Sequence, residues 1–496
     1  MDAPVVRKVV ITGGGTAGWN TAAALVKHFG ELLEIVLVES EEIGIVGVGE
    51  ATFPSILGFH RLLKLDEREF MRASKATFKL GISFENWGAI GDRYIHAFGQ
   101  IGKSTWMGDF HHFWLAARED GFGGELGDYC FERKAAEAGK FSTSDTVKIN
   151  YAYHFDAGLY AAHLRLISEA RGVKRIEGRI ARVEQHPETG FVTALVMESG
   201  EQVTGDLFVD CSGFRGLLIE QTLKTGFEDY SHWLRTDSAL AVQTPSTGEI
   251  PPYTRAIARQ AGWQWKIPLQ HRVGNGLVFA SQYLSQDEAR HTLVSNLDRE
   301  PLFEPRLLRF KAGRRLKAWN KNVVAIGLAG GFIEPLESTS IHLIQIGVTR
   351  LMQLFPFSGI TASLMGRYND QSRTEYERIR DFIILHYKLT ERDDTAFWRD
   401  CREMDIPDSL AQRIDLFRES GFAYQGADDM FRVESWMQVM LGQRLRPRGY
   451  HHMGRMLGPE RLRKALDTLR TSIEGAVLRM PAHGEFLRQY CWAADA

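Results

Sequence analysis

The start of the chain leaves little freedom of fold. Lys8–Ile11 is a short apolar run, and the cluster Gly13-Gly14-Gly15-Thr16-Ala17-Gly18 follows almost at once. The alanine-rich stretch from Thr21 to His28 favours helix, and a second apolar run, Ile35–Val38, ends at Glu39. Strand, tight turn, helix and strand make a βαβ unit, which requires a parallel sheet with helices on its faces. The glycines match GxGxxG: Gly13 permits the turn, Gly15 lets a pyrophosphate reach the backbone, and Gly18 lets helix pack close on strand. The helix start offers free N–H groups and a positive dipole end to phosphate. Glu39 stands 21 residues after Gly18, at the right distance for a ribose-binding acid. A glycine-rich turn beside a solvated glutamate would have to produce all three features by coincidence. The segment therefore predicts a dinucleotide site on Gly13, Gly15, Thr16, Ala17, Gly18 and Glu39.

Two later segments favour FAD over NAD. Asp206–Gly213 and Val324–Gly331 each end an apolar strand in a turn of small residues. Both resemble the second and third contact regions of flavoproteins of the glutathione-reductase and hydroxylase type, which adds Gly327 and Gly331 to the expected cofactor contacts. A second GxGxxG is not evident, so a flavin here would receive its electrons from elsewhere.

Between these segments, Ile180–Gln185, Val192–Met197 and Leu207–Cys211 read as an antiparallel meander returning to the parallel sheet. Trp263–Pro268 and Leu277–Tyr283 flank Gly274-Asn275-Gly276, a hairpin-turn signal. Beyond about residue 360 the spacing becomes helical, as in Gln371–Tyr387 and Pro459–Arg479. The expected class is α/β: an FAD-binding Rossmann-like parallel sheet with an antiparallel meander in residues 1–360. A mainly helical C-terminal subdomain, residues 361–496, is expected to cover the substrate site.

Composition serves mainly to exclude. Lys and Arg number 60 against 62 Asp and Glu, so no bulk field exists to hold a polyanion, and no nucleic-acid partner is expected. No run approaches the ~20 apolar residues of a membrane span, and a cytoplasmic setting is expected. Cys130, Cys211, Cys401 and Cys491 form no CxxC pair, and neighbours such as His111-His112 and His451-His452 are poor chelates; no metal is expected. The 11 Trp and 29 Phe are a surplus of aromatics whose ordinary destination is a large core.

Further motifs carry a family resemblance. Gly13–Trp19 (GGGTAGW), with Gly47-Val48-Gly49-Glu50-Ala51-Thr52, resembles the N-terminus of the flavin-dependent tryptophan halogenases. Trp263-Gln264-Trp265-Lys266-Ile267-Pro268 fits that family's WxWxIP signature, and Glu334-Pro335-Leu336-Glu337-Ser338-Thr339 resembles its block near the flavin. Lys79 is similar to the family's catalytic lysine, and His96-Ala97-Phe98 to the His-x-Phe segment lining its indole site. The match runs in order through most of the chain and weakens after about residue 370.

The resemblance implies a two-component enzyme. FADH2, delivered by diffusion from a transient flavin reductase partner, would convert O2 and a halide, chloride or bromide, to hypohalous acid. The acid would pass to Lys79, which either hydrogen-bonds it or forms a haloamine, beside a small aromatic substrate of indole type. Glu337 would polarise the same species, or stabilise or deprotonate the cationic ring. Gly49 and Ala51 join the expected flavin contacts, and Thr339 and Ser340 the halide site. Ser340 departs from the family's usual Gly, which puts halide preference in doubt. Trp263 and Trp265, alternating on one strand face, would wall the flavin from the substrate; a core aromatic pair is compatible with that role. His96, Phe98 and Trp436 would hold the ring. The Tyr-Tyr pair and Glu with which free-tryptophan halogenases grip the amino acid have no match in Phe422–Asp429, so indole or an indole-bearing molecule stands beside tryptophan as the expected substrate. A flavin-dependent aromatic monooxygenase and a catalytically inactive flavin-binding protein are the alternatives. Monomer and homodimer are both open.

Overall fold

The opening βαβ unit forms the heart of a six-stranded sheet in the computed structural model, which describes residues 5–43, 50–105, 108–144 and 147–493. The strand Lys8–Thr12 lies between Leu207–Asp210 and Glu34–Glu39 and is parallel to both. Val323–Ala325 and Lys174–Glu177 extend the parallel sheet on either side, and Trp319–Asn320 closes one edge antiparallel. Four of these strands bury nearly every residue, as a sheet covered on both faces must. The helix Thr16–Phe29 lays Ala22, Ala23, Ala24 and Leu25 against the core with no exposure, and packs on the helix Ala157–Ala170. Small alanines allow that approach. The C-terminal ends of the parallel strands gather the turns at Gly13, Glu39, Cys211 and Gly327 along one edge, where ligands of open parallel sheets bind.

The meander appears as expected, with Ile180–Gln185, Val192–Met197 and Gln202–Thr204 antiparallel to one another. The tryptophan-bearing strand Gly262–Pro268 sits inside a separate seven-stranded, mostly antiparallel sheet. Its hairpin departs from the sequence expectation. The partner strand is Arg272–Phe279, and the turn lies at Leu269, whose N–H bonds Arg272 O. Gly274-Asn275-Gly276 is strand interior, paired with Ile267, Lys266 and Trp265. The physical reason is packing: a Cβ on Gly276 would lie 2.0 Å from the Trp265 ring, so the glycine makes room for the indole.

The helices Ala362–Lys388 and Pro459–Leu478 confirm the helical spacing after residue 360. Among the described residues no helix is long and apolar enough to cross a membrane, and no cluster of His, Cys, Asp or Glu is arranged to hold a metal ion. All four cysteines are buried and free.

Candidate active site

The nucleotide end is built from backbone. Gly13 has a φ of +107°, and a Cβ there would lie 2.4 Å from Cys211 O. At Gly18 a Cβ would come within 1.8 Å of Gly13 O, so only glycine allows the helix to start this close to the strand. Gly15 has no atom within 4 Å of where a Cβ would stand, and it caps the helix Thr16–Phe29 without a side-chain bond. The first-turn N–H groups around Thr16 and Ala17 thus face open space at a positive dipole end. Glu39 ends the next strand, mostly buried, beside Gly14 and paired with Arg175. An open cradle of free N–H groups with a carboxylate beside it fits the pyrophosphate and ribose of FAD. Gly327 turns against Ala17, whereas Gly331 is buried against Gly313 in a small three-stranded sheet. Ala51 pairs with His154, and Gly49 lies outside the described residues.

The chemical end is built from buried side chains. The short strand Thr77–Lys79 buries Lys79 completely. Its ammonium donates to Thr52 O at 3.0 Å and to Ser338 Oγ at 2.7 Å, and lies 5.1 Å from the Phe98 ring centroid. Burial pushes the Lys79 pKa down to about 7, although the Glu337 charge favours the ammonium.

Glu337 is also fully buried. Both its oxygens lie near His96 Nδ1, at 3.0 and 2.9 Å, and His386 Nε2 stands 2.8 Å from Oε1. Burial alone would raise its carboxyl; the two histidines outweigh burial and hold it below the usual carboxylate range. His386 comes from the helix Ala362–Lys388, one turn after Phe382. The sequence reading treated this stretch only as helix and missed His386. Its spacing from Phe382, which puts both on one face, was the available signal.

Ser338, between Glu337 and Thr339, adopts φ +60° and ψ +38°, a left-handed conformation that costs about 1 kcal/mol or more in a non-glycine residue. That reversal joins Glu337 and the Lys79 contact to the start of the helix Ser340–Gln353. Thr339 is fully buried, its Oγ1 finds no protein partner, and it makes no side-chain cap bond. Unpaired N–H groups and a positive helix end therefore lie next to the Lys79 contact. His342, two residues into this helix, accepts or donates at both ring nitrogens, to Ser55 Oγ at 2.9 Å and Glu375 Oε1 at 3.0 Å. These bonds tie the helix to its neighbours.

Trp263 and Trp265 project from one face of their strand with ring centroids 6.1 Å apart; Gln264 points away, to Arg259 and Asn296. Both indoles are buried, as the core reading requires and the wall reading allows. Trp263 Nε1 donates to Glu334 Oε1 at 3.1 Å, and Tyr387 OH donates to the same oxygen at 2.6 Å. Burial raises the Glu334 pKa against these donors.

Around Lys79 and Glu337 stands an aromatic cage. Phe98 meets Phe53 edge-on at 5.3 Å, and Phe53 meets Phe431 at 5.8 Å. Phe431 stacks on Phe382 at 3.7 Å, and Phe382 meets Trp436 edge-on at 4.9 Å. The His96 ring faces Phe98, Phe382 and Phe431 with centroids 6.5, 5.8 and 6.4 Å away. Gln438 fixes the Trp436 helix on the His96 strand by bonding both the N–H and the C=O of Ala97. His96, Phe98 and Trp436 were expected; Phe53, Phe382 and Phe431 were not. Beside Trp436, the Arg413 guanidinium lies 4.1 Å from the Tyr424 ring and 4.3 Å from the Trp436 ring. It pairs with Asp429, which Arg378 also meets at 3.3 Å.

Residues 8–459 match the family model described as tryptophan halogenase. The chain is 38% identical over 469 residues to tryptophan 6-halogenase SttH of Streptomyces toxytricini, covering 88% of this chain and 89% of that protein. Its structure is similar to that of Xcc4156, a flavin-dependent halogenase from Xanthomonas campestris, with a TM-score of 0.98 and 53% identity over 99% of this chain and 100% of that one. It is also similar to BrvH, a flavin-dependent halogenase from Brevundimonas sp. BAL3, with a TM-score of 0.94 and 47% identity over 98% and 99% of the two chains.

Proposed function

The chain belongs to the tryptophan halogenase family of flavin-dependent enzymes, and from that premise we propose how its own residues divide the reaction. The family uses FAD and a halide, and generally works with a separate flavin reductase. When bound, reduced FAD would supply the two electrons that activate O2, and the oxidant so formed would turn halide into hypohalous acid. The Gly13–Gly18 turn and Glu39 hold the dinucleotide, with Gly327 close by. Thr339 and Ser340 hold the halide at the helix start. Trp263 and Trp265 keep the organic substrate off the flavin, with Glu334 fixing the first indole.

Lys79 receives the hypohalous acid. The observation that carries this reading is a buried ammonium with two of its three protons committed, to Thr52 O and Ser338 Oγ. The third proton is left for the oxygen of HOX, which turns the halogen outward. Ser338 abuts the halide residues, so the path from one to the other is short. Confinement matters because hypohalous acid reacts indiscriminately in water. Glu337 lends a fixed negative charge to the cationic ring that forms on halogen transfer.

The substrate we infer is a neutral aromatic ring, an indole or a larger indole-bearing molecule. Supporting this is the cage of Phe53, Phe98, Phe382, Phe431 and Trp436, beside which Asp429 is already engaged by both Arg413 and Arg378, the Arg413 pair being buried. Placing a zwitterion there would desolvate its charges or break that pair. Residues 361–496 supply His386, Phe382, Phe431 and Trp436, which supports our division of the chain near residue 360 into a flavin-binding body and a helical part over the substrate.

The test incubates the protein with FAD, NADH, a flavin reductase, chloride or bromide, and separately indole, tryptophan and a tryptophan-containing peptide. Mass spectrometry should show monohalogenated indole as the main product. Oxygenated products without halogen would defeat the reading.

A further inference from the structure

We propose that His96 Nε2, and not the Glu337 carboxylate, accepts the proton that the halogen displaces from the ring; the assignment rests on the halogenase reading above.

Two imidazoles, His96 and His386, lie against the Glu337 carboxylate. The Phe382 carbonyl can only accept, so the 2.8 Å contact from His386 Nδ1 puts a proton on that nitrogen. His386 Nε2 lies 2.8 Å from Glu337 Oε1. That contact is close without being an in-line hydrogen bond. His96 Nδ1 approaches both carboxylate oxygens and donates to them. Glu337 thus has His96 Nδ1 against both oxygens and a second imidazole against one of them. Such a carboxylate is a poor acceptor for one more proton.

His96 differs. With Nδ1 donating to Glu337, Nε2 of the neutral ring carries a lone pair. That atom is fully buried and has no partner within the protein. The two ring nitrogens diverge, so Nε2 is aimed away from Glu337, and the ring as a whole stands among Phe98, Phe382 and Phe431. A substrate ring held in that cage meets an unused base, placed by the Glu337 contact and excluded from water.

The step balances as follows. The ring π electrons form the carbon–halogen bond as the X–O bond breaks, and the oxygen leaves with that electron pair. It takes the third Lys79 proton and departs as water. The ring C–H bond then breaks, its electrons restore aromaticity, and the proton moves to His96 Nε2. The proton His96 gains equals the one Lys79 lost, so net conversion is ArH + HOX to ArX + H2O.

The experiment compares indole with ring-deuterated indole as substrates of the FAD-loaded protein, with a flavin reductase, NADH and bromide. In the wild type halogen transfer limits the ring chemistry, and no primary isotope effect is expected. His96→Asn keeps an amide N–H near the position of Nδ1 and removes the Nε2 lone pair. Its product formation should fall by about 10²-fold or more, and the remaining turnover should acquire a primary isotope effect because proton loss has become slow. Glu337→Gln should also lose rate, without an isotope effect. The reverse pattern, or wild-type turnover by His96→Asn, overturns the assignment. Should His96→Asn form no product at all, a thioether scavenger for hypohalous acid decides. Continued formation of the acid with indole still bound supports the assignment; its loss overturns it. A wild type that halogenates nothing takes down the halogenase reading and this assignment together.

Discussion

At the nucleotide edge, the working parts are backbone N–H groups and missing side chains, drawn from a single stretch, residues 13–39. Around Lys79 they are charged and aromatic side chains drawn from residues 53 to 436. The first region tolerates nothing added: a methyl at Gly18 would sit 1.8 Å from a carbonyl oxygen. The second tolerates nothing removed, because Lys79 depends on Thr52 O and Ser338 Oγ, and Glu337 on His96 and His386, all of them buried. Burial there costs each charge several kcal/mol unless it is paired, and it is the reason the lysine titrates near neutrality. On the proposed reading one region grips a cofactor through shape, and the other prepares chemistry through unfavourable burial that only the assembled cluster can sustain.

The contrast can be broken at its strongest point with Lys79→Ala. Halogenation should fall by about 10²- to 10⁴-fold or beyond detection, while O2-driven oxidation of bound reduced FAD continues. On the proposed reading the lysine acts after hypohalous acid forms, so simultaneous loss of flavin oxidation would show that the two regions are not separable in this way.

Gly18→Ala attacks the other side of the comparison. The added Cβ meets Gly13 O and must displace helix or strand, at a cost of about 1–3 kcal/mol. Flavin affinity should drop by roughly tenfold or more, and flavin oxidation and halogenation should decline in parallel. Titration of flavin fluorescence checks the affinity. Unchanged binding would mean that the cradle does not hold the pyrophosphate.

The same difference governs what the sequence alone could reveal. Gly13–Gly18 and Glu39 are legible because their function depends on local spacing, which survives in the linear order. Lys79 was legible only through its family resemblance, since an isolated lysine ordinarily reads as surface. His386 and Phe382 lay hidden inside a helix whose apolar spacing is explained equally well by packing. Phe53 and Phe431 carry no signal of their own, because a cage exists only once distant segments meet. The misplaced hairpin has the opposite cause: Gly274 and Gly276 were read as turn formers, but Gly276 is there to receive the Trp265 indole. A glycine serving a bend and a glycine serving a close neighbour look alike in sequence.

The Lys79 pKa near 7 sharpens the comparison further, since the nucleotide edge has no counterpart to it. Below pH 7 the group is an ammonium with a third N–H to offer. Above it, the amine keeps two N–H groups, both engaged by Thr52 O and Ser338 Oγ, and turns a lone pair to the site. If the ammonium is the working form, the single-turnover rate of ring halogenation should fall by about tenfold per pH unit above 7. Flavin oxidation measured in parallel should not follow it. A rate that rises through pH 7 instead would assign Lys79 as the nucleophile that forms a haloamine.

The smallest effect is expected where the two regions meet. Ser340 begins the helix whose free N–H groups lie beside the Lys79–Ser338 contact, and it is half-buried next to the unpartnered Thr339 Oγ1. A side chain there narrows the space for an anion and adds a hydroxyl donor. Chloride and bromide feel the same helix dipole but differ in size, so the hydroxyl acts on their difference rather than on anion binding as a whole. An interaction of the size found at helix ends, about 0.3–1 kcal/mol, converts to roughly a two- to fivefold change in selectivity. Ser340→Gly should therefore shift the ratio of chlorinated to brominated indole by that factor when both halides compete at equal concentration. Total turnover should stay within about twofold, since Thr339, the helix end and Lys79 are untouched. An unchanged ratio removes the Ser340 side chain from the halide site and leaves anion binding to the backbone alone, which would assign the halide to the same shape-based logic as the nucleotide edge.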